Sequence, residues 1–235
     1  MIEIKQLHKK FGKLTVLDEL DLSIKSGGIF AVLGPNGSGK TTLIKCILGM
    51  VIPQKGEIIF DGESVIRQSN YRNKINYMPQ IANFPANLTV IELIEMVKNL
   101  RPKPANETDL ISLFNLEPHL EKKLGNLSGG TKQKVNIVLV FMFDSDLIIL
   151  DEPTTGLDPI AMISLKKLIN DAKENGKTVL ITTHIMSLVD EIADEIVFLL
   201  EGKIYFKGSV PELKKQTGEP ELEHAIANLL RKQNV

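Results

Sequence analysis

Cysteine is almost absent from this chain, tryptophan is missing, and aromatic residues make up 5% of its 235 positions. The single cysteine, Cys46, cannot close an intramolecular disulfide, which excludes a disulfide-stapled scaffold and suits a reducing compartment. Its spacing on an apolar stretch reads as a small core residue. Nor does one charge dominate: 28 basic residues face 29 acidic ones, leaving no global pull toward nucleic acid or anionic lipid. Long apolar runs are lacking too. A membrane-crossing helix needs about 18 or more apolar residues; the nearest run, residues 135–143, contains Asn136 and stops at Asp144. The opening Met1-Ile2-Glu3-Ile4-Lys5 lacks the basic-then-apolar order of a signal peptide, so the expected location is the cytoplasm. What the chain does have is 43% hydrophobic residues, ample for a large core.

The most informative stretch is Gly34-Pro35-Asn36-Gly37-Ser38-Gly39-Lys40-Thr41-Thr42, lying between the apolar run 29–33 and a helix-like segment from Leu43. The pattern G-x-x-x-x-G-K-T after a strand and before a helix is that of a phosphate-cradling P-loop. Its glycines let successive N–H groups turn inward at a helix N-terminus, where they form an anion nest. Lys40 is placed to bridge β- and γ-phosphates, the Thr41 hydroxyl to coordinate Mg²⁺, and Thr42 to donate to an α-phosphate. A nucleoside triphosphate is the expected ligand.

Four further features bear on the same chemistry. The run Leu147-Ile148-Ile149-Leu150 suits a strand buried on both faces, with Asp151 and Glu152 emerging at its C-terminal end. There Asp151 can hold Mg²⁺ and Glu152 can polarise an attacking water, although adjacent acids at a strand end can also be merely solvated. His184 ends another apolar strand, 178–182, and is open to a structural or a γ-phosphate-donating role. Ser128-Gly129-Gly130 opens a helix and is either a second anion site or an N-cap with glycines for close packing. Phe11, beside Gly12 on a polar turn, is either a face for adenine or an ordinary turn anchor.

The remaining pattern gives an α/β fold class: a P-loop NTPase core with a mixed, mainly parallel sheet, N-terminal antiparallel strands and an inserted helical lobe. Alternation at Ile2, Ile4, Leu20, Leu22 and Ile24 predicts the antiparallel strands. Residues 81–126 turn helical, with Thr89-Val90-Ile91-Glu92 as a capping box and Arg101-Pro102-Lys103-Pro104 as the stop. Short helices are expected over 108–116 and 118–123. Asp158-Pro159 starts a helix that Gly176 closes, and 195–206 form a hairpin before two C-terminal helices. The expected units are a core of 1–80 and 145–210, a helical lobe of 81–144 and a C-terminal extension of 211–235.

Taken together, the P-loop, Gln80 after a strand, Leu127-Ser128-Gly129-Gly130, the strand ending Asp151-Glu152, Gly156-Leu157-Asp158 and His184 keep the order found in ATP-binding cassette (ABC) ATPases. The resemblance covers about residues 1–210. It implies that Phe11 and Val16 lie against adenine, and that Gln80 reaches the metal and attacking water while sensing a membrane partner. It also implies that Ser128, Gly129 and Gly130 contact the γ-phosphate held by a second cassette, that Asp158 crosses the dimer interface, and that His184 is a switch histidine. ATP and Mg²⁺ are the implied cofactors. The implied partners are separate transmembrane permease subunits and a second cassette, either another copy or a paralogue, with no nucleic acid. Thr131, Lys134, Asn136 and the segment 142–145 depart from the family's usual residues without removing a catalytic group.

The resemblance is strongest to bacterial exporter ATPases, and implies an ATPase subunit powering export by head-to-tail dimerisation. The alternatives are a soluble ABC ATPase acting on DNA or ribosomes and a regulatory module without turnover. The first is disfavoured by the lack of a coiled-coil insertion, a second cassette or a basic stripe. The second is disfavoured by the presence of Glu152 and His184.

Overall fold

The computed structural model describes residues 1–101 and 103–231. The expected helix-stopping Pro102 and the last four residues of the expected C-terminal unit lie outside the described residues. In chain order the elements are β1 (Ile2–Phe11), β2 (Leu14–Ile24), β3 (Gly28–Leu33), α1 (Lys40–Ile47), β4 (Lys55–Phe60), β5 (Glu63–Ser64), β6 (Ile75–Met78), α2 (Val90–Leu100), α3 (Glu107–Leu113) and α4 (Gly129–Phe141). There follow β7 (Leu147–Asp151), α5 (Pro159–Glu174), β8 (Thr178–Thr183), α6 (Met186–Ile192), β9 (Glu195–Leu200), β10 (Lys203–Gly208), α7 (Val210–Thr217) and α8 (Leu222–Arg231).

Two sheets result. One is antiparallel in the order β2-β1-β4-β5; the other runs β10-β9-β3-β8-β7-β6, with β9, β3, β8, β7 and β6 parallel and β10 antiparallel at the edge. Strands of period two must divide their side chains between two faces. Thus Phe30 and Val32 of β3 pack with Leu43, Ile44 and Ile47 of α1 and with Ile2, Ile4 and Leu22 of the antiparallel sheet, which places α1 between the two sheets. On the other face, Ile148, Leu150, Val179 and Ile181 pack against α4 and α5, while Ala31 and Leu33 meet α6, α7 and α8. The C-terminal edge of the parallel strands, where β3, β7 and β8 end together, is left for chemistry.

Local signals account for most boundaries. Both halves of the capping box at Thr89 form: its hydroxyl accepts from Glu92 N at 3.3 Å, and Glu92 Oε2 accepts from Thr89 N at 2.8 Å. Asp158 caps α5, its Oδ1 accepting from Ala161 N at 2.9 Å, with Pro159 at the first helical position. Other expectations differ from the structure. Residues 81–89 form no regular helix, and 118–123 hold only the end of a 3₁₀ turn, Glu117–His119, too short a segment to propagate an α-helix. Helix α6, seven residues long, lies in a stretch where the sequence pattern carries no helix signal. Among the described residues no helix is long and apolar enough to cross a membrane.

Candidate active site

The loop between β3 and α1 is shaped by its glycines. Gly39 has φ +108° and would bring a Cβ to 2.8 Å from the Val16 carbonyl, so a side chain there is excluded both by conformation and by space. The loop thereby folds tightly over the N-terminus of α1. Lys40 bends back across it, its Nζ donating to Gly34 O at 2.8 Å and Pro35 O at 3.2 Å, and its side chain is 7% exposed. Burial lowers the Lys40 pKa from its ordinary value, and the nearby Glu152 and Asp151 charges oppose that shift.

Parallel pairing brings the other groups to the same place. The register of β7 with β8 sets Asp151 beside Thr182. The Thr182 hydroxyl donates to Asp151 Oδ1, and Thr41 Oγ1 donates to Asp151 Oδ2 at 3.1 Å, so a carboxylate only 1% exposed is held by two hydroxyls. Glu152 follows at the strand end with φ +50°, a left-handed conformation that costs a non-glycine residue about 1–2 kcal/mol. Its backbone N–H donates to Thr182 O at 2.9 Å, and its buried Oε2 lies 2.9 Å from Nδ1 of His184, whose side chain is 62% exposed.

Lys40, Thr41, Asp151 and Glu152 border a cleft of about 420 Å³, with His184 outside its lining. Its lining includes Leu14, Val16, Asn36, Gly37, Ser38, Gly39, Lys40, Thr41, Thr42, Gln80, Asp151 and Glu152. Gly34 and Pro35 stand behind that wall, their carbonyls taken by Lys40. The buried Ser38 hydroxyl has no protein partner among the described residues, as befits a group turned toward a polar ligand. Phe11 is 49% exposed with Lys9 Nζ 4.9 Å over its ring, and it is not among the residues bordering the cleft. Its cross-strand neighbour Leu14 is, together with Val16. The signal for Leu14 is an exposed apolar residue directly after a turn, which is weak by itself.

Ser128, Gly129, Gly130 and Asp158 form a separate surface outside the cleft. Ser128 caps α4, its Oγ accepting from Thr131 N at 3.2 Å, and Ser128 and Gly129 are exposed. Gly130 is pressed against the loop after Glu152, where an added Cβ would lie 2.5 Å from Gly156 O. Two further contacts fix this helix to the same loop: Gln133 Nε2 donates to Pro153 O at 2.9 Å, and Lys134 Nζ pairs with Asp158 Oδ2 at 2.7 Å. Lys134 and the cap hydrogen bond from Ala161 hold the exposed Asp158 carboxyl below its ordinary value. The departing segment 142–145 is well packed, with Met142, Phe143 and Ser145 buried.

Comparison with known proteins supplies the family. A family model described as ABC transporter matches residues 17–155, more than half of the chain. The chain belongs to the ABC transporter family. Among its relatives, the lantibiotic transport ATP-binding protein SrtF of Streptococcus pyogenes is 33% identical over 97% of this chain and 96% of its own. The Nod factor export ATP-binding protein I of Burkholderia orbicola is 33% identical over 88% and 70%. A solved ATP-binding subunit of an ABC transporter superposes with a TM-score of 0.90 at 30% identity, covering 98% of this chain and 99% of that one. A dimeric ATP-binding cassette in a post-hydrolysis state with ADP and Pi gives 0.80 at 26%, covering 89% and 98%. This ABC cassette is therefore an ATP-binding ATPase subunit of α/β fold.

Proposed function

We propose that this ABC cassette powers export through separate transmembrane permease subunits at the inner face of the cell membrane, working as a head-to-tail pair. One observation carries the reading: Lys40, Thr41, Gln80, Asp151 and Glu152 border one cleft, while the exposed helix end at Ser128 and Gly129 lies outside it. A chain with two phosphate-suited surfaces that do not meet is half of a shared site. The name of the Nod factor export relative supports export, and the dimeric cassette supports pairing. Within the chain, residues 1–80 and 145–210 act as the hydrolytic core, 81–144 as the lobe serving the partner's nucleotide, and 211–235 as an extension.

The chemistry follows from the donor set. The Thr41 hydroxyl, the Asp151 carboxylate and the Gln80 amide are hard oxygen donors in one cleft, the kind of set that suits Mg²⁺ alongside substrate phosphates. When bound, that ion neutralises phosphate charge. The loop N–H groups and Lys40 orient the β- and γ-phosphates, with Leu14 and Val16 against the base. Glu152 accepts the proton of the attacking water, with Gln80 and His184 as hydrogen-bonding neighbours of the γ-phosphate and that water.

Mixing two inactive variants tests the pairing. Lys40→Met spoils the cleft and Ser128→Arg spoils the facing helix end. Random pairing of equal amounts makes half the dimers mixed, each with one intact composite site, so about a quarter of wild-type turnover should return. Persistent inactivity of the mixture, with both variants folded, would rule out a shared site.

A further inference from the structure

Two buried amide side chains on α4 remain without a role in the reading above. Gln133 and Asn136 are three residues apart and so lie on one face of the helix. Each donates to the carbonyl of a proline just beyond the end of a parallel strand. Gln133 reaches Pro153 at 2.9 Å, the residue after Glu152, and Asn136 Nδ2 reaches Pro79 at 3.1 Å, the residue before Gln80. Strands β6 and β7 are neighbours in register, with Met78 opposite Leu150, so the two prolines follow the ends of adjacent strands.

Asparagine is a poor choice for a buried helix interior, where it forms helix weakly and must satisfy an amide away from water. Alanine would fit such a position at lower cost. The helix does not need Asn136 as an anchor, because Asn76 already ties its C-terminal end down by donating to Val140 O at 2.8 Å and Phe143 O at 2.7 Å. What Asn136 does fix is one peptide plane. A peptide unit is rigid, so holding the Pro79 carbonyl also holds the Gln80 N–H and restricts the direction in which the Gln80 side chain leaves.

We infer that Asn136 is a positioning residue for Gln80, transmitting the position of the helix that opens at Ser128 to the cleft of the same chain. The inference rests on the proposed role of Gln80 in hydrolysis. Movement of α4, on which the partner's nucleotide would press, displaces the Pro79–Gln80 peptide through Asn136 and the Glu152 strand end through Gln133. Both ends of the reaction centre thus answer to one helix.

A double-mutant comparison on the full chain tests this, with ATP turnover and ATP affinity read at high protein concentration. Asn136→Ala is expected to lower kcat about fivefold to tenfold while KM for ATP changes less than about twofold, because the loop contacts are untouched. In a Gln80→Ala background the same substitution is expected to change nothing further. Asn136→Ser, too short to reach the Pro79 carbonyl, should match Asn136→Ala and serves if the alanine variant fails to fold. Multiplicative losses in Asn136→Ala/Gln80→Ala, or a loss confined to melting temperature, would overturn the inference while leaving the role of Gln80 intact. Wild-type turnover in Gln80→Ala alone would overturn that role and the inference with it.

Discussion

Gly129 and Gly130 open the same helix, yet an added methyl group meets different surroundings at each. Neither residue has positive φ, so alanine is conformationally acceptable at both. Such a Gly→Ala change stabilises a chain by about 0.4–1 kcal/mol through the unfolded state. At Gly129 nothing lies within 4 Å of the new Cβ, so the whole gain should appear. At about 2–4 °C per kcal/mol for a chain of this size, Gly129→Ala should melt roughly 1–4 °C higher than wild type. At Gly130 the Cβ would sit 2.5 Å from Gly156 O. Relief to an ordinary C···O separation of about 3.3 Å requires a shift near 0.8 Å in the helix start or in the loop leading to Asp158. Overpacking of this kind costs about 1–3 kcal/mol. The net effect is a loss of about 1–2 kcal/mol, and a melting temperature roughly 2–8 °C lower.

Thermal unfolding monitored by circular dichroism, paired with ATP turnover, separates the two glycines. Gly129→Ala should be more stable but less active, since its methyl stands on the exposed helix end proposed to receive a partner's γ-phosphate. Gly130→Ala should lose both. If Gly130→Ala melts at or above the wild type with full turnover, the close approach of helix and loop is not a constraint. If Gly129→Ala turns over normally, that helix end does not meet a nucleotide.

Two other perturbations probe the scaffold. Burial pushes the Cys46 thiol up to about 11, so the folded chain should resist a maleimide near neutral pH and take up one equivalent once unfolded in guanidinium; rapid labelling of the folded chain would mean that the packing around α1 opens. Lys98 Nζ lies 2.6 Å from Glu107 Oε1, tying α2 to α3 and holding the Glu107 carboxyl below its ordinary 4.5. A lowered carboxyl contributes stability that is fully present above pH 4.5 and is lost as pH falls through the lowered value. Lys98→Met should therefore melt below the wild type at neutral pH and converge on it in acid, and a pH-independent difference between them would refute the linkage.

What could be read from the sequence was local, and what could not was set by packing between distant segments. The glycine-rich loop, the buried run ending at Asp151 and the caps at Thr89 and Asp158 are each specified within a few residues, so the fold class and most of the cleft follow from them. The choice between Phe11 and Leu14 is different in kind. They pair across a short turn, so both side chains lie on one face of the hairpin, and which of them borders the cleft depends on where that hairpin packs against the P-loop. Thr182 is equally illegible, because it becomes a partner of Asp151 only through the adjacency of β7 and β8, strands separated in sequence by a helix. The left-handed conformation of Glu152 has no sequence signature at all. It is tolerated because the residues on either side are held: Asp151 by Thr41 and Thr182, and Pro153 by Gln133. A strained acid fixed at both flanks keeps its direction when the helix carrying Gln133 is still, and loses one flank when that helix moves. For this reason α4, although it contributes no side chain to the lining of the cleft, controls the geometry of the cleft's base.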